Sequence, residues 1–495
     1  MKKHLLTAGL LLIATFSMAQ QRKPNIVFIL ADDLGYGDLG AYGQQKIKTP
    51  HIDKMARNGM RFTSFYAGTS VCAPSRSSLI TGQHTGHTYV RGNKEIQPEG
   101  QEPLADTVQS MATLLQQAGY VTGAFGKWGL GMVGTSGAPD KKGFDRFFGY
   151  NCQRQSHRYY PTHLWDNNQK VILEGNDLSH KVHYAPELIQ QKALAFIEEN
   201  QDRPFFLFIP VVLPHAELQG PEDEWFKMYD GKFPETPHKG NDYGPGALVP
   251  GYASIDKPHA TYAGMVSRMD AYVGQVVARL TELKLIDNTI IIFTSDNGAH
   301  FEGGADHKFF NSNGGLRGLK RDLYEGGIKT PFIVQWNGKV KAGSTSNHLG
   351  AFWDVLPTFV EITGAPAPRY TDGISFLPVL KGKGRQRQHH YLYWEFHESG
   401  GRQAVRMGKW KGVRYQVKKD PGSTVELYDL DKDPAEQHNI AAAHPEIAKM
   451  MSEKMAEAHV ESPIFPCWKR KNNQTLLETT AAAWGALPGA PFFYP

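Results

Sequence analysis

Short apolar runs alternate with amphipathic stretches along most of the chain. Four runs of strand length are rich in Ile, Val and Phe and end abruptly before polar residues: 25–30, 121–125, 205–209 and 289–293. Between them, apolar residues recur at helical spacing, as in 108–115 and 265–280. Strands that alternate with helices predict an α/β fold with a large, mostly parallel central sheet flanked by helices.

Polar side chains follow each of the four runs. In chain order these are Asp32 with Asp33, Lys127, His215, and Asp296 with Asn297. Ligands of parallel sheets bind in the crevice beyond the carboxyl ends of the strands. The sequence therefore predicts that these side chains converge there, although they lie far apart along the chain.

The pattern changes after residue 380. A basic stretch, 381–390, precedes short aromatic strands around 391–396 and 405–415, and a polar helix is predicted near 445–460. We therefore predict a large domain of residues 20–380 and a smaller α+β domain of residues 381–495 with a short antiparallel sheet. The smaller domain is expected to complete the substrate cleft.

The N-terminal residues have the pattern of a secretory signal peptide. Lys2 and Lys3 precede an apolar run at 5–16, and small residues lead to a cleavage site near Ala19, which predicts a signal peptide over 1–19. The run is too short for a stable membrane anchor. No cysteine precedes Cys72 to carry a lipid. We expect a soluble protein of the bacterial periplasm, with full secretion as the alternative.

Composition and charge narrow the function. With 495 residues, of which 40% are hydrophobic, the chain can bury a large core. The formal charge of +5 falls to about +3 without Lys2 and Lys3, which gives no indication of a nucleic-acid partner. Three cysteines leave an odd one, and whether Cys152 pairs with Cys467 while Cys72 stays free is not decided by sequence.

The most specific pattern is the segment 72–82, CAPSRSSLITG. Pro74 suits the first turn of a helix, so Cys72 is predicted at a helix N-terminus, where free N–H groups and the dipole favour an anion. The segment resembles the signature of the formylglycine-dependent (type I) sulfatases of the alkaline-phosphatase superfamily. There the cysteine of C-x-P-S-R is oxidised to formylglycine (3-oxoalanine). The alternative is a buried structural cysteine.

Two further segments extend the resemblance to sulfatases. These are 31–35 (ADDLG) and 294–298 (TSDNG). Alone, either is more typical of a turn or helix cap, but together they offer the hard oxygen ligands that calcium prefers. The resemblance implies one Ca²⁺ ion held by Asp32, Asp33, Asp296 and Asn297, with residue 72 as a further ligand.

The resemblance also implies the catalytic residues Cys72, Arg76, Lys127, His215 and Lys320. Hydrated formylglycine at position 72 would attack sulfur, calcium would hold the reacting oxygens, and Arg76 would stabilise the hydrate. Lys127 and Lys320 would neutralise the sulfate, and His215 would protonate the leaving oxygen. Sulfate would then leave as the aldehyde re-forms, which an ordinary serine could not achieve.

One position departs from the sulfatase pattern, although the resemblance runs from about Pro24 to Glu436. Sulfatases often have histidine in G-K-W-H-L-G, where this chain has Gly129. His157, the nearest histidine downstream, is one candidate replacement. The alternatives are that His157 binds substrate or is an exposed loop residue, with another group or water completing the chemistry.

The segment 86–93, GHTYVRGN, resembles galactosamine-sulfate and related carbohydrate sulfatases. It implies exo-acting desulfation of a galactose or N-acetylgalactosamine unit in a host or algal glycan. Candidate substrate-binding residues are Arg91, His157, Arg158 and His163, with Trp394 or His397 entering from the second domain. Each is equally compatible with packing or an exposed position.

The implied partners are a sulfated saccharide and a maturation enzyme, either a formylglycine-generating enzyme or an anaerobic sulfatase-maturating enzyme. Two other functions stay open at this point. The same fold and similar sites serve phosphonate and phosphodiester hydrolases. The missing histidine also allows an inactive binder of sulfated glycans.

Overall fold

The computed structural model describes residues 22–97, 99–242 and 252–467. The signal peptide predicted at 1–19 lies outside these residues. Within the described part of the chain, no helix has the length and apolar character needed to cross a membrane. Cys72, Cys152 and Cys467 are all buried free thiols, so the disulfide left open by the sequence is not formed here.

The strands of the described residues number from β1 to β18. They are β1 Asn25–Ala31, β2 Met60–Phe62, β3 Phe65–Tyr66, β4 Glu95–Ile96, β5 Gly100–Gln101, β6 Val121–Lys127, β7 Arg146–Tyr150, β8 His163–Asp166, β9 Gln169–Ile172, β10 Phe205–Pro210, β11 Thr289–Ser295, β12 Phe332–Gln335, β13 Ser344–Ser346, β14 Gly350–Ala351, β15 Leu392–Phe396, β16 Arg402–Met407, β17 Trp410–Tyr415 and β18 Glu426–Asp429.

The α-helices of the described residues number from α1 to α11. They are α1 Pro50–Asn58, α2 Cys72–Thr81, α3 Met111–Gln117, α4 Ala185–Glu199, α5 Glu224–Lys227, α6 Pro258–Glu282, α7 His307–Phe310, α8 Glu325–Ile328, α9 Val355–Thr363, α10 Leu377–Lys381 and α11 Pro445–Ala458.

A ten-stranded sheet forms the centre of the molecule, in the order β13-β2-β12-β11-β1-β10-β6-β7-β8-β9. Its middle is parallel: β1 pairs with β10 and β11, β10 with β6, and β6 with β7. The strands β12, β8 and β9 are antiparallel to their inner neighbours. The four apolar runs are thus the neighbouring parallel strands β11, β1, β10 and β6, and the α/β fold predicted from the sequence is confirmed.

Helices cover both faces of this sheet. Val27 and Ile29 of β1 face one apolar cluster together with α4 and α6, whereas Ile26 and Phe28 face the other together with α3 and α9. Alternate residues of a strand point to opposite faces. Since both faces are buried, the strand is a continuous apolar run rather than an alternating one.

The C-terminal region contains a four-stranded antiparallel sheet, β15-β16-β17-β18. Met451 and Met455 of α11 pack on one face of this sheet. Trp394 and Phe396 of β15 lie on the other face, in an apolar cluster that also contains residues of the predicted large domain. The strand region predicted around 405–415 is a hairpin of β16 and β17. Gly408, with φ of 57°, lies in the turn between them.

Candidate active site

The carboxyl ends of β1 and β11 bring four oxygen-bearing side chains together, as the sequence predicts. Asp32 and Asp33 follow β1, Asp296 and Asn297 follow β11, and all four are fully buried. The Asp33 backbone N–H donates to Asp296 Oδ1 at 3.0 Å, and Asn297 Nδ2 donates to Asp33 Oδ1 at 2.7 Å. The backbone of Asp33 is left-handed, with φ of 62°, which turns its carboxylate into the cluster.

Cys72 is the first residue of α2 and lies against these carboxylates. Its Sγ is 3.4 Å from Asp32 Oδ1 and 3.9 Å from Asp33 Oδ1. Burial raises the pKa of the Cys72 thiol well above its usual range, and the carboxylates add to the rise although Lys127 opposes it. Unmodified Cys72 is therefore a protonated thiol and a poor nucleophile.

Three cations surround Cys72 and the carboxylates. Arg76, one turn along α2, donates from Nη2 to Asp296 Oδ2 at 2.8 Å, and its Nη1 donates to the Lys127 carbonyl at 2.9 Å. Lys127 Nζ is 2.7 Å from Asp32 Oδ2. Lys320 Nζ is 2.8 Å from Asp33 Oδ2. The arrangement concentrates both signs of charge in a water-excluded space, where electrostatic interactions are strong.

His215 lies beside Lys320, in the loop that follows β10. Its Nε2 is 2.9 Å from Lys320 Nζ and 3.2 Å from Asp33 Oδ2, and its Nδ1 contacts the Ala216 carbonyl. Burial, reinforced by Lys320, lowers the pKa of His215 to about 4. The ring is therefore neutral near pH 7, with its proton on Nδ1 and its Nε2 lone pair toward Lys320.

The charge balance of this cluster fits a bound cation. Burial favours the neutral carboxyls, yet Lys127 and neighbouring cations hold the pKa of Asp32 down at about 2. Burial and the nearby Asp32 charge raise the pKa of Asp296 to about 7. Asn297 Oδ1 is buried without a hydrogen-bond partner among the described residues. A hard cation would satisfy this acceptor and relieve the repulsion between the carboxylates.

His157 is the candidate substrate residue that packs directly on a predicted catalytic side chain. Its ring stacks on His215 with centroids 4.6 Å apart. Burial and the neighbouring His215 lower the pKa of His157 well below its usual range. Arg158 is buried beside it, with Nη1 3.2 Å from Glu217 Oε2.

Other candidate substrate residues contact protein groups elsewhere. Arg91 is buried, with Nη1 3.0 Å from Glu395 Oε1, and His163 Nε2 is 2.8 Å from Glu99 Oε2. Trp394 is fully buried and donates from Nε1 to the Ala67 carbonyl at 3.0 Å. His397 Nδ1 is 3.2 Å from the Arg91 carbonyl.

Glu302 is a site residue that the sequence reasoning missed. Its Oε2 is 2.8 Å from Lys320 Nζ and its Oε1 is 2.8 Å from Arg321 Nη1. The Tyr252 hydroxyl donates to the same carboxylate at 3.3 Å. Glu302 follows the TSDNG segment by only a few residues, but no recognised motif includes it, so its position near that segment was the one available signal.

Comparison with known families places the charged cluster around Cys72, with His157, His215 and Glu302, within one family model. The model described as "Sulfatase" matches residues 24–365. A second model, "N-sulphoglucosamine sulphohydrolase, C-terminal", matches residues 316–461. The two models together span the central sheet, the charged cluster and the C-terminal sheet.

Individual relatives agree with these matches. The chain is 31% identical to human "Arylsulfatase A", covering 92% of each chain. It is 30% identical to "N-acetylgalactosamine-6-O-sulfatase" of Bacteroides thetaiotaomicron, covering 87% of this chain and 92% of that protein. Among solved structures, Ps i-CgsB in complex with k-i-k-neocarrahexaose has a TM-score of 0.73 and 26% identity, covering 88% of this chain and 92% of that chain.

Proposed function

The chain belongs to the sulfatase family and hydrolyses sulfate esters of carbohydrates, and we propose that it uses a formylglycine made from Cys72 to desulfate the end of a glycan chain. The observation that carries this proposal is the environment of Cys72. The thiol is buried at a helix N-terminus among carboxylates and cations, and its raised pKa makes it a poor nucleophile while it remains cysteine.

We propose that a single Ca²⁺ ion is held by Asp32, Asp33, Asp296 and Asn297, together with residue 72. The unpartnered Asn297 Oδ1 and the raised pKa of Asp296 support this assignment. Calcium suits a flexible shell of carboxylate and amide oxygens better than magnesium does. When bound, the ion would supply positive charge beside residue 72 and the sulfate group.

Formylglycine would supply the nucleophile, as a hydrated aldehyde at position 72. Its formation requires a maturation enzyme, either a formylglycine-generating enzyme or an anaerobic sulfatase-maturating enzyme. Arg76 is one turn away on the same helix and holds Asp296, so we propose that it fixes this carboxylate and stabilises the hydrate. We also propose export to the periplasm, from the pattern of residues 1–19 alone.

Lys127 and Lys320 are proposed to neutralise the sulfate oxygens. Both ammonium groups are fully or almost fully buried. Lys127 pairs with Asp32 and Lys320 pairs with Asp33, so the two lysines would flank the reacting group. Donors fixed in a water-excluded site stabilise developing negative charge without reorganisation. Their charge would favour an anionic ester over a neutral one.

The pair of Lys320 and His215 is proposed to deliver the proton to the leaving alcohol oxygen. The Nδ1 proton of His215 is directed to the Ala216 carbonyl, and Nε2 accepts from Lys320 Nζ at 2.9 Å. Nε2 is the ring nitrogen next to Lys320 and the carboxylates, and a proton taken up there from solvent when the anionic ester binds can pass to the departing oxygen. Glu302 keeps Lys320 charged and in place through its own contact at 2.8 Å.

For the substrate, we propose a sulfated galactose or N-acetylgalactosamine unit. The 86–93 segment and the 30% identity to an N-acetylgalactosamine-6-O-sulfatase support this class. The region after residue 380 is proposed to complete the cleft. Asn93 supports this, because its backbone N–H donates to Glu398 Oε1 at 3.0 Å and its Oδ1 accepts from Ala73 N at 3.1 Å.

Sulfate release from a panel of defined sulfated saccharides tests this function. We expect turnover of terminal galactose or N-acetylgalactosamine sulfates, and we expect an aryl sulfate to be cleaved far faster than an aryl phosphodiester. Faster cleavage of the phosphodiester would favour a phosphonate or phosphodiester hydrolase. Absence of any sulfate release from fully matured protein would favour a sulfated-glycan binder.

A further inference from the structure

The side-chain space at position 129 is filled by another residue. A Cβ atom built on Gly129 would lie 1.9 Å from Gln153 Nε2, far inside contact distance. The backbone of Gly129 is also left-handed, with φ of 74°, which strains any other residue. The Gln153 amide therefore lies where a side chain of residue 129 would begin.

This amide is buried and unsatisfied. Gln153 is 3% exposed, and neither Nε2 nor Oε1 has a hydrogen-bond partner within the described ranges. A buried amide without partners loses several kcal/mol of hydration on the most severe transfer scales and about 1–3 kcal/mol on protein scales. Packing alone does not explain a glutamine here, since methionine would fill the same volume without this penalty.

The position of Gln153 links it to the catalytic cluster from two sides. Gly129 comes two residues after Lys127, and the Lys127 carbonyl accepts a hydrogen bond from Arg76. Four residues after Gln153, His157 stacks on His215. The amide thus packs on the backbone two residues from Lys127, and its own segment leads within four residues to the His157 ring that stacks on His215.

The other donors at this pocket already contact protein groups. Arg76 contacts Asp296, Lys127 contacts Asp32, and Lys320 contacts Asp33 and Glu302. Neither Nε2 nor Oε1 of Gln153 makes a hydrogen bond with a described residue, although Nε2 can donate and Oε1 can accept. An N–H donor without a partner, packed on the segment that carries Lys127, is suited to an anionic oxygen entering from outside.

We propose that Gln153 is a sulfate-binding residue, whose Nε2 donates to an oxygen of the sulfate group in the catalytic pocket. Gln153, in the loop that follows β7, thereby supplies the polar group that Gly129 lacks. This role rests on the proposed function, since sulfate is taken as the ligand. It also replaces His157 as the residue that occupies the space beside position 129.

Titration of inorganic sulfate into the full-length, calcium-loaded protein tests this role independently of turnover. Gln153→Met keeps the side-chain volume and removes the donor, so the sulfate Kd should rise about tenfold or more, as expected for a hydrogen bond to a charged group. Turnover of an aryl sulfate should fall by roughly 10²-fold in kcat/KM, as for loss of a donor to developing negative charge. Gln153→Glu, which adds a like charge, should bind sulfate more weakly still.

The matched control is Gln335→Met at the opposite edge of the sheet. Gln335 is also 3% exposed, and its Oε1 is likewise unpartnered among the residues described. It pairs with Ile291 near the start of β11, away from Ser295. Sulfate affinity and turnover of this variant should stay within about twofold of wild type. The amide of Gln335 is remote from the catalytic cluster, so its loss should change stability alone.

The results test the role of Gln153 and the proposed function separately. If both Gln153 variants bind sulfate as the control does, or if wild type shows no measurable sulfate affinity, the role of Gln153 is overturned. If sulfate affinity depends on Gln153 but matured wild type releases no sulfate from any ester, Gln153 keeps its role and the proposed function falls. Normal formylglycine content in every variant, measured by peptide mass, excludes a maturation defect.

Discussion

Two buried charge clusters in this molecule differ in what completes them. The catalytic cluster has Asp32, Asp33 and Asp296 facing Lys127 and Lys320. A second cluster, here called the seam cluster, consists of Tyr66, Glu325, Lys411 and Glu436, between the large sheet's region and the C-terminal sheet. Lys127 and Lys411 are both fully buried, so burial of charge alone does not distinguish the catalytic cluster from the seam cluster.

The seam cluster is closed by ion pairs between protein groups, including Glu436 Oε1, which makes an ion pair but no hydrogen bond with a described residue. Lys411 Nζ lies 2.9 Å from Glu325 Oε1 and 3.0 Å from Glu436 Oε1, and the Tyr66 hydroxyl donates to Glu325 Oε2 at 2.7 Å. Burial raises the pKa of Glu436 to about 7 in spite of Lys411. One lysine thus bridges two carboxylates that come from α8 and from the loop after β18.

The catalytic cluster instead includes neutral polar groups that no described residue satisfies. Asn297 Oδ1 and both side-chain atoms of Gln153 are buried without partners. A buried charge cluster therefore indicates a ligand site when polar groups beside it remain unsatisfied, and not from burial alone. Substitutions in the two clusters should accordingly change different quantities, activity in one and stability in the other.

The largest effect is expected for Cys72→Ala. Alanine has no nucleophile and no metal-binding oxygen, so sulfate release should fall by on the order of 10⁵-fold or more, while thermal unfolding stays close to wild type. Cys467→Ala, at another buried free thiol, is the control and should retain turnover. Substantial turnover by purified Cys72→Ala protein would sink the formylglycine mechanism.

Asp296→Ala should be the next most damaging change. It removes a carboxylate that holds Arg76 at 2.8 Å and is a proposed calcium ligand. Bound calcium by elemental analysis should be lost and turnover should drop by roughly 10³-fold. Asp38→Asn, at a buried carboxyl that accepts from Gly35 N at 2.8 Å outside the proposed ligand set, should keep the metal. Zinc in wild type, or an active metal-free protein, would refute the calcium assignment.

Lys411→Met should have the opposite profile from the catalytic variants. It removes the nearest cation from Glu325 and Glu436 and leaves Glu325 the longer contacts to Arg406 at 3.8 Å and Lys329 at 3.9 Å, so the free energy of unfolding should fall by about 3–5 kcal/mol. Turnover per folded molecule should be unchanged. Lys409→Met, in the turn of the β16–β17 hairpin, removes the ion pair of a half-exposed lysine with Asp429 of β18 and should cost about 0–1 kcal/mol. A Lys411→Met protein of normal stability and reduced kcat would break the contrast between the clusters.

Among the variants at the catalytic cluster, His157→Ala is expected to have the smallest effect on activity. If His157 completes the chemistry through its stack on His215, a step after sulfur transfer slows, and an early burst of alcohol precedes slow turnover. If it grips the sugar, the Michaelis constant rises about tenfold for the saccharide and a small aryl sulfate is spared. Unchanged kinetics with both substrates would remove His157 from either role. His348→Ala, at a buried histidine between β13 and β14 outside the candidate site residues, is the matched control.

The fold and much of the cluster's composition followed from local sequence pattern. Runs buried on both faces of a parallel sheet are continuous and apolar, and the polar residues after them must meet at one edge. Asp32, Asp296 and Lys127 were found in this way. Pro74 near the start of a helix placed Cys72 at the N-terminus of α2.

Other features depend on contacts that no local pattern encodes. Gln153 lies in a loop and Glu302 begins a short 3-10 helix, Glu302–Gly304, and their roles arise from the space beside Gly129 and from the position of Lys320. Arg91 lies within a segment of recognised resemblance, yet its guanidinium pairs with Glu395 from β15, which only the packing of the C-terminal sheet brings near. The positions of these side chains depend on long-range packing, which the local sequence does not reveal.

The most direct test measures sulfate release against the chemical state of residue 72. Preparations with different degrees of maturation would be compared by peptide mass and by turnover of an aryl sulfate. The proposed mechanism predicts that turnover rises in proportion to the formylglycine fraction and vanishes when residue 72 is entirely cysteine. Full activity in protein whose residue 72 is demonstrably unmodified would contradict it.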